Sequence, residues 1–326
     1  MTSQPSKRPG VLCAGSIVQD TIVGPFDELR WGTTTFVDSM DRHLGGNGAN
    51  TARALAILGN RVRLAGTVGN DDASAFALRE LSACGVEIET LGRTDQPNAA
   101  TTVLVNSRGD RQFLHRLGSS HHAFREPLEF TDAIVRDMQH FHLASLFVLP
   151  HLRRNAPEML RRAKAAGLTT SLDTNWDPHD EWLRVLEPCL KHVDVLFLNE
   201  DESRKLTGTT DPVKAAAYLQ DRQANIVVQK LSRDGCAIYA RGEPAGGIHC
   251  SPFDIIAIDS TGAGDCFAAG FLSAYLRGGS LVEAGEYGNA AGALSVRAIG
   301  AVTGLLSGAE FEDWKSRTPK RRTNQN

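Results

Sequence analysis

The segment DSTGAGDCFAAGF, residues 259–271, sets a carboxylate, Asp265, directly after Gly262, Ala263 and Gly264. Behind it Phe267, Gly270, Phe271, Ala274 and Tyr275 recur at helical spacing, so Asp265 falls in the first turn of a helix anchored by its apolar stripe. Two readings fit this pattern. An Asp there offsets the positive end of the helix dipole, and glycines make a tight entry turn. Equally, bare N–H groups at a helix start form an anion site. A carboxylate beside bound phosphate would then serve a second reactant, with a metal screening the charges.

Other segments carry the same double reading. GGNGANTARA (45–54) is a glycine-lined turn leading into a helix, and its Asn47 and Asn50 offer amides suited to a polyhydroxylated ligand; alone, it is also a capped turn. LNEDESRKLTG (198–208) sets Asn199 and Glu202 three apart at a strand end, where they could hold the water shell of Mg²⁺. An N-cap with an acidic first turn explains them as well. SLDTN (171–175) puts Asp173 and Asn175 at another strand end, where a turn suffices. No G-x-x-x-x-G-K-[ST] loop is present, and the first glycine cluster lacks the third glycine of a dinucleotide site, which disfavours a nicotinamide enzyme.

The elements that must position these residues alternate along the chain. Strands are expected at 11–18, 62–69, 141–146, 168–175, 193–199 and 225–231, and helices at 48–59, 71–85, 151–166, 179–191 and 212–222. That order implies α/β architecture, a three-layer, doubly wound, mostly parallel sheet. Two segments break the rhythm. Residues 19–44 hold short β-prone pieces, and residues 99–117 read as a hairpin turning at NSRGD. Together they predict a small β-sheet lid on a domain spanning 11–312, with tails at 1–10 and 318–326.

The bulk numbers agree. The chain has 326 residues, 41% of them apolar and 22% charged, enough for one large α/β domain with a sizeable core. A net charge of −3 gives no footprint for nucleic acid, and the basic stretch RTPKRRTNQN reads as a solvated tail. Six irregularly spaced cysteines read as buried reduced thiols. No apolar run reaches the about 18 residues of a membrane span, and the polar start lacks a signal peptide's apolar core, so a cytoplasmic protein is expected.

At this point GGNGANTARALAILG and DSTGAGDCFAAGF together resemble the two motifs of the ribokinase-like, PfkB-type carbohydrate kinases, over roughly residues 11–310. The resemblance implies ATP-dependent phosphoryl transfer to a hydroxyl of a sugar or nucleoside. Asp265 would be the general base, and the backbone N–H groups of Gly262, Ala263 and Gly264 the anion hole. It implies a substrate pocket of Asp20, Gly46, Asn47 and Asn50. Asn199, Lys230, Ser232, Gly235, Gly264 and Asn289 would face the nucleotide, with Glu202 reaching Mg²⁺ through water. Asp259, Thr261, Ser295, Ala298 and Gly300 resemble a monovalent-cation site for K⁺. Ser232 replaces a usual glycine, Asn47 a common lysine, Gly304 a usual serine, and Ala144 or Ser145 stands where ribokinase has a glutamate. No basic residue falls at a matched pocket position, which points to an unphosphorylated substrate, although Arg111 or Arg116 of the lid could reach in. Lid β edges admit a homodimer. A catalytically silent sugar- or nucleoside-binding protein of the same fold is the alternative, and the intact Asp265 with its glycines argues against it.

Overall fold

The computed structural model describes residues 9–243 and 246–321. The chain opens with β1 (Gly10–Ala14), β2 (Val18–Gly24), β3 (Ser39–Gly45) and α1 (Asn47–Ile57). Next come β4 (Arg61–Val68), α2 (Asp72–Ala83), β5 (Leu91–Arg93), β6 (Ala99–Val105) and β7 (Arg111–Arg116). The middle holds α3 (Asp132–Val135), β8 (His140–Leu143), α4 (Leu152–Ala165), β9 (Thr169–Asp173), α5 (Leu183–Leu190) and β10 (Val195–Asn199). Then follow α6 (Glu200–Thr207), α7 (Pro212–Asp221), β11 (Ile226–Lys230), β12 (Cys236–Ala240) and β13 (Ile248–Cys250). The last helices are α8 (Ala263–Tyr275), α9 (Leu281–Ser295) and α10 (Gly308–Arg317).

Among the described residues nine strands form one sheet in the order β13-β12-β11-β10-β9-β8-β1-β4-β5. All neighbours from β11 to β5 run parallel, and β12 and β13 are antiparallel. Alternate residues feed two cores. Val11, Cys13, Leu64, Val195, Phe197 and Val228 face α1, α8 and α9, while Leu12, Ala14, Phe141, Leu172 and Val227 face α4, α5 and α7. Apolar residues on both faces of a strand are what a sheet covered by helices on both sides demands. The helix starts are fixed locally: Asp71 accepts from Ser74 N at 3.0 Å, and Ser280 and Glu283 close a capping box. All six cysteines are free and five are buried.

The lid is a second sheet in the order β3-β2-β6-β7, with the expected hairpin as β6 and β7. The expected strand 11–18 divides in two. Gly15 lies against Gly48 so tightly that a Cβ on it would sit 2.8 Å from Gly48 Cα, and there the chain leaves the main sheet for the lid. The hairpin β12–β13, unforeseen from sequence, covers the sheet edge. Part of each expected tail is described. Gly10 belongs to β1, and residues 318–321 are tied down, with Pro319 O accepting from Asp254 N and Pro252 O from Arg321 N, both at 2.8 Å. The remainder of the expected tails, 1–8 and 322–326, lies outside the described residues.

Candidate active site

The carboxyl ends of the parallel strands converge beside β1, where connections leave the sheet in opposite directions, the place where open α/β sheets bind ligands. There Ser16 Oγ contacts Ser145 Oγ at 2.9 Å and accepts from Asn47 N at 3.1 Å, while Ser145 N donates to Asn175 Oδ1 at 3.0 Å. This cross-bracing fixes the start of α1. Asn47 and Asn50, one turn apart on it, both donate to Asp265, Nδ2 to Oδ1 at 2.9 Å and Nδ2 to Oδ2 at 2.8 Å. Gly262, with φ +71, caps α8, and a Cβ on it would lie 2.4 Å from the Ala301 Cβ. Only glycine meets both demands.

Asp265 is buried, and burial together with the nearby Asp173 charge raises its pKa to about 7, against the pull of Asn50, Asn47 and Lys230. A carboxyl poised there accepts a proton near neutrality far better than an ordinary aspartate. Lys230 Nζ pairs with Asp173 Oδ2 at 2.6 Å. Burial alone would lower the Lys230 pKa, but the carboxylates of Asp173 and Glu202 more than reverse that and keep it charged. Its Nζ stands 3.2 Å from where a Gly264 Cβ would be, so a side chain there would press on the end of Lys230.

Two cavities meet at this helix start. One, of about 250 Å³, lies beneath the lid and is lined by Asp20, His43, Gly46, Asn47, Asn50, Thr101 and His115, with Gly262 and Asp265 in its floor. Burial raises Asp20 to about 6, opposed by its bond to Thr101, and lowers His115, whose Nδ1 meets Thr101 Oγ1 at 3.0 Å. Asn50 Oδ1 and His43 Nε2 are buried with no protein partner among the described residues, which suits ligand hydroxyls. The second cavity, of about 500 Å³, is lined by Asn199, Lys230, Ser232, Gly235, Ala263, Gly264 and Asn289, with Phe253, Phe267 and Val296 as apolar wall. Asn289 is held by its Nδ2 donating to Cys250 O at 2.9 Å.

Several expected details differ. Ala263 N donates to Ser260 O at 3.3 Å, so this one of the three expected anion-hole N–H groups has a backbone partner. Glu202 does not line the second cavity. It closes a capping box, accepting from Asn199 N at 2.9 Å while Glu202 N donates to Asn199 Oδ1 at 2.8 Å, and burial raises its pKa. Ser232, where a glycine is usual, stands at φ +51, in the left-handed region that favours glycine. Ser295 is buried and donates its hydroxyl to Gly292 O at 2.9 Å, and Ala298 is half-buried in the loop that ends at Gly300. Neither lid arginine enters the first cavity. Arg116 donates to Asn98 O at 3.0 Å, and Arg111 pairs with Asp259 at 2.8 Å and with Thr261. Ser145 braces Ser16 instead of facing the cavity. Sequence reasoning left Asp173 as a turn and missed His43, His115 and Arg321; the last lines the second cavity from the stretch read as tail.

Comparison with known proteins agrees with this geometry. The family model described as pfkB family carbohydrate kinase matches residues 10–307. The ATP-dependent ribose-1-phosphate kinase of Halopiger xanaduensis is 33% identical over 258 residues, 79% of this chain and 81% of the relative. A fructokinase of Escherichia coli is 30% identical over 287 residues, 83% and 91% of the two chains. The structure of Arabidopsis thaliana ribokinase complexed with ribose and ATP superposes with a TM-score of 0.80 at 25% identity, covering 94% of this chain and 98% of that one. The main sheet, the lid and both motifs thus sit in a known framework, and the chain belongs to the pfkB family of carbohydrate kinases.

Proposed function

We propose that the protein transfers the γ-phosphoryl group of ATP to a hydroxyl of an unphosphorylated sugar or nucleoside, with ribose and fructose as the model acceptors. The observation that carries this reading is that the start of α8 stands between the two cavities, with Gly262 and Asp265 lining the smaller and Ala263 and Gly264 lining the larger. The sugar occupies the smaller one, its hydroxyls on Asp20, Asn50 and His43. The nucleotide occupies the larger, its phosphates at the start of α8 beside Lys230. The acceptor oxygen attacks Pγ, the bond from Pγ to the bridging oxygen breaks, ADP leaves and the hydroxyl proton passes to Asp265. Gly262 and Gly264 N–H groups meet the charge on the transferred group, so positioning and electrostatics supply most of the acceleration.

Mg²⁺ fits as an ion carried by the phosphates and held through water, since Asn199 is on the wall and Glu202 fixes it from behind. Bound there it would neutralise phosphate charge. The free thiols suit a reducing cytoplasm. Trp31, Phe36, Met40 and Leu114, all more than half exposed on the lid, support a homodimer formed lid to lid.

A second substrate reading, a sugar 1-phosphate, is favoured by the 33% identical relative alone. Against it, the lining of the smaller cavity has no lysine or arginine. ADP release from Mg²⁺-ATP across a panel of free sugars, nucleosides and ribose 1-phosphate decides between them. Stimulation by a free sugar or nucleoside supports the first reading, and stimulation by the sugar phosphate alone selects the second. Binding of panel members without any ADP release would instead favour a silent binding protein.

A further inference from the structure

The site resembling a monovalent-cation site already contains a positive charge. Arg111 is the first residue of β7, and its Nη1 lies 2.8 Å from Asp259 Oδ1 and also donates to Thr261 Oγ1. Asp259 is buried, and its side chain has no exposed surface. Its oxygens also accept from Thr261 N at 2.8 Å and Gly300 N at 2.9 Å. Burial would raise its pKa, but these bonds and Arg111 hold it lowered, as an ion that needs a cation partner. Gly304 cannot supply the usual hydroxyl ligand, because even a Cβ there would stand 2.2 Å from Leu294 O. A metal cation added beside the guanidinium would face like-charge repulsion at short range.

We propose that Arg111 is the resident cation of this site and a positioning residue for the anion hole, so that the protein works without K⁺. The proposal rests on the kinase reading for its consequence in rate, but not for the charge substitution itself. Arg111 rides on the lid. It pairs with Val105 across the hairpin, and Phe113 and His115 of the same strand line the sugar cavity. Thr261 immediately precedes Gly262, one of the proposed anion-hole donors. Closing the lid over a sugar therefore seats the guanidinium on Asp259 and Thr261 and sets the 259–262 turn. An open lid leaves the anion hole without its cation, which couples sugar binding to catalytic assembly.

The test compares wild type, Arg111→Ala and Arg111→Lys in KCl and in choline chloride at equal ionic strength, by melting temperature and by initial rate. Wild type should show neither a K⁺-specific rise in Tm nor K⁺-dependent turnover. Arg111→Ala should lose about tenfold or more in kcat, with KM for ATP little changed, and should gain a K⁺-specific rise in Tm. Added guanidinium should restore part of its rate, and Arg111→Lys should fall between the two. A K⁺-specific rise in the Tm of wild type, or wild-type kcat in Arg111→Ala, overturns the proposal. The melting arm needs no turnover, so it judges the charge substitution even if no sugar proves to be phosphorylated, an outcome that would count against the kinase reading alone.

Discussion

All residues of β1 and β8 are buried, whereas five of the six residues of β7 are exposed. The floor of the site is thus held by close packing on both faces, and the lid by its hydrogen-bonded ladder and a single covered face. Asp265 belongs to the floor: its helix packs through Phe267 and Phe271, and Phe271 meets Phe197 of the sheet edge-on at 5.3 Å. Asp20, His43, His115 and Arg111 belong to the lid. The division teaches that chemistry is placed where the backbone cannot yield, while substrate choice and closure are placed where it can.

The largest effect that could break this division is on the floor. Asp265→Asn should cost about 10²–10⁴ in kcat, with ATP and sugar binding within a few-fold by calorimetry; comparable turnover would remove Asp265 as the base. The same variant should melt higher at pH 8. With a pKa raised from 3.8 to about 7 in the folded state, this group's contribution to stability is full below 3.8 and is lost as pH rises through 7, and the neutral amide escapes that loss. Next comes the lid. Asp20→Ala should raise KM for the sugar about ten- to a hundredfold, the worth of hydrogen bonds to a charged group, while KM for ATP stays constant. Equal changes in both constants would take Asp20 out of the sugar cavity.

Smaller effects sharpen the comparison. Replacing Trp31 and Phe36 together by serine should convert a dimer to a monomer in light scattering without moving the melting temperature of the main domain. A dimer that persists would place its interface elsewhere. The smallest change is expected at Ser232, held at φ +51. Ser232→Gly should stabilise the fold by up to about 1 kcal/mol, read from urea unfolding, and destabilisation would contradict the strain assigned to it.

Legibility from sequence followed the range of the interactions. The capping box at Asn199 and Glu202, the helix start at Gly262–Asp265 and the hairpin at NSRGD are decided within a few residues, and all could be read in advance. The roles given to Asp20, Lys230 and Asn289 came from likeness to a family, because their cavities are assembled from distant segments. Pairings such as Arg111 with Asp259 or Lys230 with Asp173 join residues far apart in the chain and leave no local signal. The hairpin β12–β13 escaped notice because β13 is three residues long, and the pairing of Lys320 with Glu286 and of Arg321 with Asp254, at the start of the expected tail, joins residues distant in the chain.

The most direct test of the central claim is the pH dependence of kcat/KM for the sugar at saturating Mg²⁺-ATP. A base whose pKa burial has raised to about 7 must lose its proton to act. The account predicts a rate that falls about tenfold per pH unit below 7 and levels off above it. A rate that stays flat down to pH 5 would show that the proton goes to some other group and would contradict the assignment of Asp265.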